Sequence, residues 1–154
     1  MFFEPLRKIA DFFINLDRDQ LIFELSNNRE FKELVVKLNT EKQLFDKGIN
    51  SEGVRLDVIG GPYAPFTVER KKELGQPFDR VTLKDTGEFY DSFNVDVFRG
   101  GFIINSDPVK EDGTNLLVEW GEDVEGLTQE SLEVLVKYYI DQLVDGIIKR
   151  LQSL

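Results

Sequence analysis

The chain has 154 residues, a length typical of one domain, and its 29 acidic and 19 basic residues give a formal net charge of −10. That surplus of negative charge repels nucleic-acid phosphates and argues against specific binding of DNA or RNA. The sequence contains neither Cys nor His, which excludes disulfides, thiolate zinc sites and catalytic triads built on those side chains.

Residues 1–46 are predicted to be mainly helical. Pro5 suits a first helical turn, and the apolar side chains after it recur at helical spacing: Leu6, Ile9, Phe13 and Leu16. We expect this helix, residues 5–16, to belong to the core, with docking on a partner subunit as the alternative. Acids interrupt the apolar N-terminus and no stretch reaches 18 apolar residues, so we expect no signal peptide and no membrane segment.

The next two patterns also favour helices. Asp17 or Asp19 is expected to cap a second helix that runs to about Leu25. Residues 29–38 carry apolar side chains at helical spacing, although the VVKLNT sequence at their end fits a strand equally well. Thr40 is expected to cap a short turn that Gly48 closes.

Residues 48–65 differ in composition from what precedes them. This segment, GINSEGVRLDVIGGPYAP, holds four of the 12 glycines and two of the five prolines. It predicts a long loop with at most one short strand, Val54–Ile59. A loop of this length in a compact domain is usually functional or ordered by a partner.

A short helix with a basic cluster is predicted next. We expect Thr67 to cap it and Gly75 to end it. Arg70, Lys71 and Lys72 form the only dense basic cluster of the chain. We interpret them as a solvated helix face, with salt bridges to a neighbouring subunit as the alternative.

The remaining elements are a hairpin and a long helix. In residues 93–106 apolar and polar side chains alternate up to Val97, and Arg99-Gly100-Gly101 then turns into the apolar run from Phe102, which predicts a β-hairpin. Thr128 is expected to open the last helix, residues 128–152, which carries an apolar stripe broad enough for two packing partners. Together these elements predict an α+β fold in one domain, residues 1–154, with a small antiparallel sheet packed by the N-terminal helices and the long C-terminal helix.

Carboxylates are the only candidates for chemistry. Glu111-Asp112 and Glu122-Asp123 lie in glycine-flanked segments, but neither follows the spacing of a calcium-binding EF-hand. Asp85-Thr86-Gly87 also occurs in aspartic proteases, which need a second such Asp that this chain lacks. We therefore predict that the chain is not an enzyme and has no catalytic residue, metal site or cofactor. A carboxylate-based, metal-dependent hydrolase is an alternative.

Four segments in a fixed order resemble a family of tailed-bacteriophage proteins. They are PYAPFT (residues 62–67) with Lys71 and Lys72 after it, LKDTGEFYDS (residues 83–92), the hairpin (residues 95–104) and GEDVEGLT (residues 121–128). In this order they are similar to head–tail connector, or tail-completion, proteins, including those of crAss-like gut phages. The resemblance covers roughly residues 39–128.

The LKDTGEFYDS segment also predicts a local corner. Asp85 is expected to cap a short helix, and Gly87 allows a close approach of the main chain. Phe89 and Phe93 then lie four residues apart on one face, and Ser92 can bond back to a main-chain carbonyl.

The resemblance implies a structural protein of the virion that assembles as a homo-oligomeric ring in the neck or tail region. It would be made in the host cytoplasm and contact portal, adaptor or tail proteins of the same virion. The terminal helices, the 48–65 loop and the hairpin are the elements we expect to carry contacts. The candidate assembly residues are Tyr63, Pro65, Phe66, Arg70, Lys71, Lys72, Asp85, Thr86, Gly87, Phe89, Tyr90, Arg99 and Phe102. The alternative is an acidic phage-encoded inhibitor, or DNA mimic, that binds a basic protein.

Overall fold

The structure is a computed structural model that describes residues 3–154, and it confirms the predicted α+β class. The helices are α1 (Glu4–Ile14), α2 (Arg18–Ser26), α3 (Arg29–Lys37), α4 (Leu56–Ile59), α5 (Pro65–Glu73), α6 (Glu88–Asp91), α7 (Leu116–Trp120) and α8 (Gln129–Gln152). The strands are β1 (Asn94–Phe98) and β2 (Gly101–Asn105), and a short 3-10 turn spans Glu122–Val124.

The hairpin forms as the alternating pattern predicts. β1 pairs with β2 in antiparallel register, from Asn94 opposite Asn105 to Phe98 opposite Gly101. Gly100 adopts φ 110° in the turn, a conformation that glycine reaches without strain. Val95 and Ile104 face each other across the pair and are buried, so one face of the hairpin joins the core.

The third helix is longer than the sequence suggests. α3 continues without a break into a π-helical segment, Leu38–Phe45, so the predicted alternative of a strand at VVKLNT is wrong. Thr40 does not cap a new turn. Its hydroxyl donates a hydrogen bond of 2.8 Å to the Val36 carbonyl within the same helix, which is the usual bond of a Thr inside a helix.

The core lies between α3, the hairpin, α7 and the first half of α8. Phe31 at the start of α3 is fully buried, and its ring centroid lies 5.5 Å from that of Phe102 and 5.2 Å from that of Tyr139. Aromatic pairs at these distances add to the stability gained by burial alone. Trp120 and Val124 close the opposite side of the same cluster.

Two buried carboxamides connect the π-helical segment to the start of α8. Asn39 donates to the Val124 carbonyl (2.9 Å) and accepts from the Gly126 amide (2.8 Å). Gln43 donates to the Gly126 carbonyl (2.8 Å) and accepts from the Thr128 amide (2.8 Å). Both side chains therefore pair with main chain in the way that a neighbouring strand would, and this satisfies four buried polar groups of residues 124–128.

The 48–65 region is more ordered than a loop. The prediction of a short strand over residues 54–59 is wrong. Ile49 and Arg55 pair as an isolated bridge, and α4 follows directly. The Asn50 side chain accepts hydrogen bonds from the main-chain amides of Glu52 and Val54, and such a local turn competes with an extended conformation.

The terminal helices differ in how far they are packed. Thr128 caps α8 by accepting from the Ser131 amide, as predicted, and Leu135 of α8 lies in the core. α1 contains no buried residue, so the expectation that this helix belongs to the core is wrong. No helix within residues 3–154 is long and apolar enough to span a membrane.

Candidate functional site

A groove lies where α5, residues 83–89 and residues 107–120 meet. Its volume is about 740 Å³. Eight of the thirteen residues predicted to mediate assembly line this groove: Tyr63, Phe66, Arg70, Lys71, Asp85, Thr86, Gly87 and Phe89. The fold thus gathers most of the predicted site on one surface, although the segments are up to 26 residues apart.

A network of hydrogen bonds around Thr82 joins Tyr63, which lines the groove, to Tyr90, which does not. The Thr82 amide donates to the Tyr63 hydroxyl (3.0 Å), and the Tyr90 hydroxyl donates to the Thr82 carbonyl (2.5 Å). Burial raises the pKa of the Tyr90 phenol well above its usual range. Both tyrosine hydroxyls therefore bond to the main chain of Thr82 and stabilise the fold. Tyr90 is buried, so its side chain is not accessible to another protein.

Lys71 is the main departure from the predicted basic face. It is buried, and its ammonium group donates to the Lys84 carbonyl (2.9 Å) and to Oε1 of Gln76 (3.2 Å). The same nitrogen lies 4.9 Å from the centroid of the Tyr63 ring, in the range of a cation–π contact. Lys71 therefore joins α5 to residues 82–84, and the interpretation of a solvated helix face is wrong for this residue.

The other members of the basic cluster remain on the surface. Arg70 is exposed along the groove. Lys72 points elsewhere, 3.4 Å from a carboxylate oxygen of Glu69 and 5.0 Å from the ring centroid of Phe78. The helix begins at Pro65, with Ala64 at the cap position, so Thr67 does not cap it as expected.

The Asp85-Thr86-Gly87 turn leads into α6. Gly87 occupies the cap position with φ 97°, and no side chain caps the helix, so the expectation that Asp85 is the cap is wrong. Asp85 is exposed beside the groove. The predicted contacts after the turn are present: the Phe89 and Phe93 ring centroids lie 5.0 Å apart, and the Ser92 hydroxyl donates to the Phe89 carbonyl (2.6 Å).

The rim of the groove is both apolar and charged. The Phe66 side chain is 78% exposed, and Leu74 and Val109 are also exposed. Lys84 and Lys110 lie among the lining residues, as do four of the acids: Asp85, Glu88, Glu111 and Glu119. Exposed apolar side chains bordered by charges of both signs are typical of a surface that contacts another protein.

Five predicted residues lie away from the groove. Pro65 starts α5, and Lys72 and Tyr90 are described above. Arg99 in the hairpin turn forms an ion pair of 2.6 Å with Asp17, which also caps α2 by accepting from the Gln20 amide. Phe102 packs on Phe31 in the core. The 13 candidates therefore do not form one continuous site.

The acid pairs do not converge on a metal site. Within residues 3–154 no group of three Asp or Glu side chains is placed to hold a metal ion. Asp112 accepts a hydrogen bond of 2.9 Å from the Thr114 amide, and this bond lowers the pKa of its carboxyl group. Its role here is to stabilise a local turn.

Two apolar helix faces form a second candidate surface, as the breadth of both terminal helices suggested. On α1 the exposed apolar side chains include Leu6, Ile9, Phe13 and Ile14. On α8 a row of apolar residues four positions apart is exposed along most of the helix: Leu132, Val136, Ile140, Val144 and Ile148. We call this row the α8 ridge. Exposed apolar faces of such length mark contacts with other proteins.

Comparison of the chain with protein-family models, with curated proteins and with solved structures found no match.

Proposed function

We propose that the chain is a non-enzymatic structural subunit of a tailed-phage virion, which assembles as a ring at the head–tail junction. The observation that carries the proposal is the pair of exposed apolar faces, α1 and the α8 ridge, on opposite ends of one sequence. Water-exposed apolar surface of this extent is costly for a lone chain, so it favours a protein that functions within an assembly.

The arrangement of the two faces is compatible with a ring. They belong to different helices, so a copy that gives one face and receives the other face from a different copy makes heterologous contacts. Heterologous contacts repeat from one subunit to the next and close into a ring when the rotation between subunits allows it. The groove beside α5 is then available for a different virion protein, such as portal, adaptor or tail protein.

The test is the size and shape of the purified protein. Light scattering and native mass spectrometry should give one closed multiple of the single-chain mass, and negative-stain electron microscopy should show rings. Mixing with portal or tail proteins of the same virion should give a larger complex. A protein that stays monomeric at high concentration and binds none of these proteins would contradict the proposal.

The alternative functions, an acidic inhibitor or a DNA mimic, would require a different surface. They need acids that are free along one extended face, at about the spacing of phosphates. Several acids pair instead with bases of the same chain, for example Glu24 with Arg150 (2.7 Å) and Asp145 with Lys149 (2.9 Å). This pattern supports the structural proposal over the inhibitor.

A further inference from the structure

A short link leads from α1 into the body of the protein. It comprises only residues 15–17, between helices that end at Ile14 and begin at Arg18. Asn15 donates to the Asp11 carbonyl (2.8 Å) at one end, and Asp17 caps α2 at the other. Arg99 also holds Asp17 from the hairpin. α1 itself contains no buried residue, so the described part of its own chain leaves its apolar side chains uncovered.

We infer that α1 of one copy packs on the α8 ridge of a second copy. This inference rests on the proposed ring and identifies the contact between its subunits. The occupant of the ridge is a second copy because the same chain supplies a complementary helix that its own fold leaves uncovered. Each subunit then gives one α1 and receives another.

The lengths of the two faces are compatible. The α8 ridge runs from Leu132 to Ile148, about 24 Å at a rise of 1.5 Å per residue. α1 contains 11 residues and spans about 16 Å on the same scale. α1 is therefore shorter than the ridge. Because residues four apart turn through about 40° per step around a helix, α1 would cover part of the row rather than all of it.

The side-chain rows of the two helices also complement one another. On α1, Leu6, Ala10 and Ile14 form one row of residues four apart, and Ile9 and Phe13 form the next. Ala10, the smallest of them, leaves a shallow groove between these rows. The ridge on α8 is likewise a row of residues four apart. A row of this kind in a groove of the same kind is the commonest mode of helix packing in globular proteins, with axes crossing at about −50°.

Charges at the edges of the faces are complementary as well. Lys8 borders the apolar face of α1, and Glu133 and Asp141 border the ridge on α8. Among residues 3–154 none of these three side chains has an ion-pair partner. The row beside the ridge holds charges of both signs: Glu133, Lys137, Asp141, Asp145 and Lys149. A register that places Lys8 beside Glu133 or Asp141 is therefore favoured over one that places it beside Lys137.

Cysteine cross-linking tests the contact directly, because the native chain has no Cys. The variants Ile9→Cys and Ile140→Cys are mixed and mildly oxidised. We expect a disulfide-linked product of twice the single-chain mass that contains one copy of each variant. Asp11→Cys, on the opposite side of α1, is the matched control and should give at least tenfold less product with Ile140→Cys. Equal yields for both pairs would overturn the inference.

A second variant tests the contact without cross-linking. Ile140 is 54% exposed, so Ile140→Asp should leave the melting temperature of the single chain unchanged while shifting the oligomer to the single-chain mass. Val118→Asp, which places the same charge on an exposed site of α7, should leave the oligomer intact. An Ile140→Asp protein that still assembles at wild-type concentrations would contradict the inference.

The outcomes separate the contact from the ring. Rings without the Ile9–Ile140 cross-link would leave the ring proposal standing and remove the α1–α8 contact. Cross-linked species that native mass spectrometry shows to be dimers would establish the contact and refute the ring. A double Ile9→Cys, Ile140→Cys protein that closes only within single chains at high dilution and at high concentration alike would show that α1 folds onto its own ridge.

Discussion

The Tyr90 hydroxyl donates a hydrogen bond of 2.5 Å to the main-chain carbonyl of Thr82, eight residues earlier in the chain. Both residues are buried. The bond closes the segment that contains the Asp85-Thr86-Gly87 turn into a loop and fixes where the turn meets the groove. The loop is therefore held by a side chain beyond the turn rather than by the turn residues themselves.

Tyr90→Phe should destabilise the protein by about 1–3 kcal/mol, because it leaves a buried carbonyl without that donor. Urea denaturation, followed by circular dichroism, measures the change as a lower midpoint with an unchanged slope. Tyr138→Phe is a control on a more exposed tyrosine and should cost less. Equal losses of stability in the two variants would show that the hydrogen bond to Thr82 does not contribute as proposed.

The same residue predicts a loss of stability in alkaline solution. Burial raises the pKa of Tyr90 in the folded protein, whereas in the unfolded chain it titrates near pH 10. Below that pH both states keep the proton and the stability is fully present. Above it the unfolded chain loses the proton first, so the free energy of unfolding falls as pH rises. Urea midpoints between pH 9 and 11 should therefore fall less steeply for Tyr90→Phe than for the wild type.

Lys71 and Lys72 are adjacent but should respond differently to substitution. Lys71→Met keeps the length of the side chain but leaves the Lys84 carbonyl without its donor, so we expect a loss of about 1–3 kcal/mol. Lys72→Met removes a surface ion pair with Glu69 and a surface contact with the Phe78 ring, and its effect should stay within about 0.5 kcal/mol. Thermal melts measure both. A larger loss for Lys72→Met would contradict the roles assigned to the two side chains.

Gln43→Glu should be among the most damaging isosteric changes. The carboxylate cannot donate to the Gly126 carbonyl and would face it in a buried site, so we expect a loss of about 2 kcal/mol or more. Gln129→Glu, at the exposed start of α8, should be neutral or slightly stabilising because a negative charge suits a helix N-terminus. Denaturation midpoints of the two variants should move in these directions.

Two glycines predict opposite effects of the same substitution. A Cβ at Gly60 would lie 2.4 Å from carbons of the Trp120 ring, so Gly60→Ala should cost about 1–3 kcal/mol through overpacking. A Cβ at Gly146 in α8 meets no atom within 4 Å, and Gly146→Ala should stabilise the helix by about 0.4–1 kcal/mol. Melting temperatures that shift in the same direction would be inconsistent with this geometry.

Local sequence patterns predicted the elements whose causes are local. Asp17 and Thr128 cap helices as expected, since a cap needs only a side chain and an amide three residues on. The hairpin follows from alternation and a glycine turn within 14 residues. The predicted caps at Thr67 and Asp85 are wrong, because α5 begins earlier, at Pro65, and Gly87 occupies the cap position of α6.

Contacts between distant segments could not be predicted in this way. Lys71 resembled a surface base because its partner, the carbonyl of Lys84, lies 13 residues away and carries no side-chain signal. Asn39 and Gln43 lie 83 to 87 residues from their partners. Polar residues within a helical pattern usually indicate an exposed face, so only the folded arrangement shows that these two are buried.

The two carboxamides also set the direction in which α8 leaves the body of the protein. Asn39 and Gln43 hold residues 124–128, immediately before the helix begins. The 24 residues of α8 form a lever about 36 Å long. A rotation of one degree at Thr128 would move the far end of an unsupported lever by about 0.6 Å. The ion pair between Arg150 and Glu24 of α2 opposes such a movement near that end, so α8 is positioned from both of its ends.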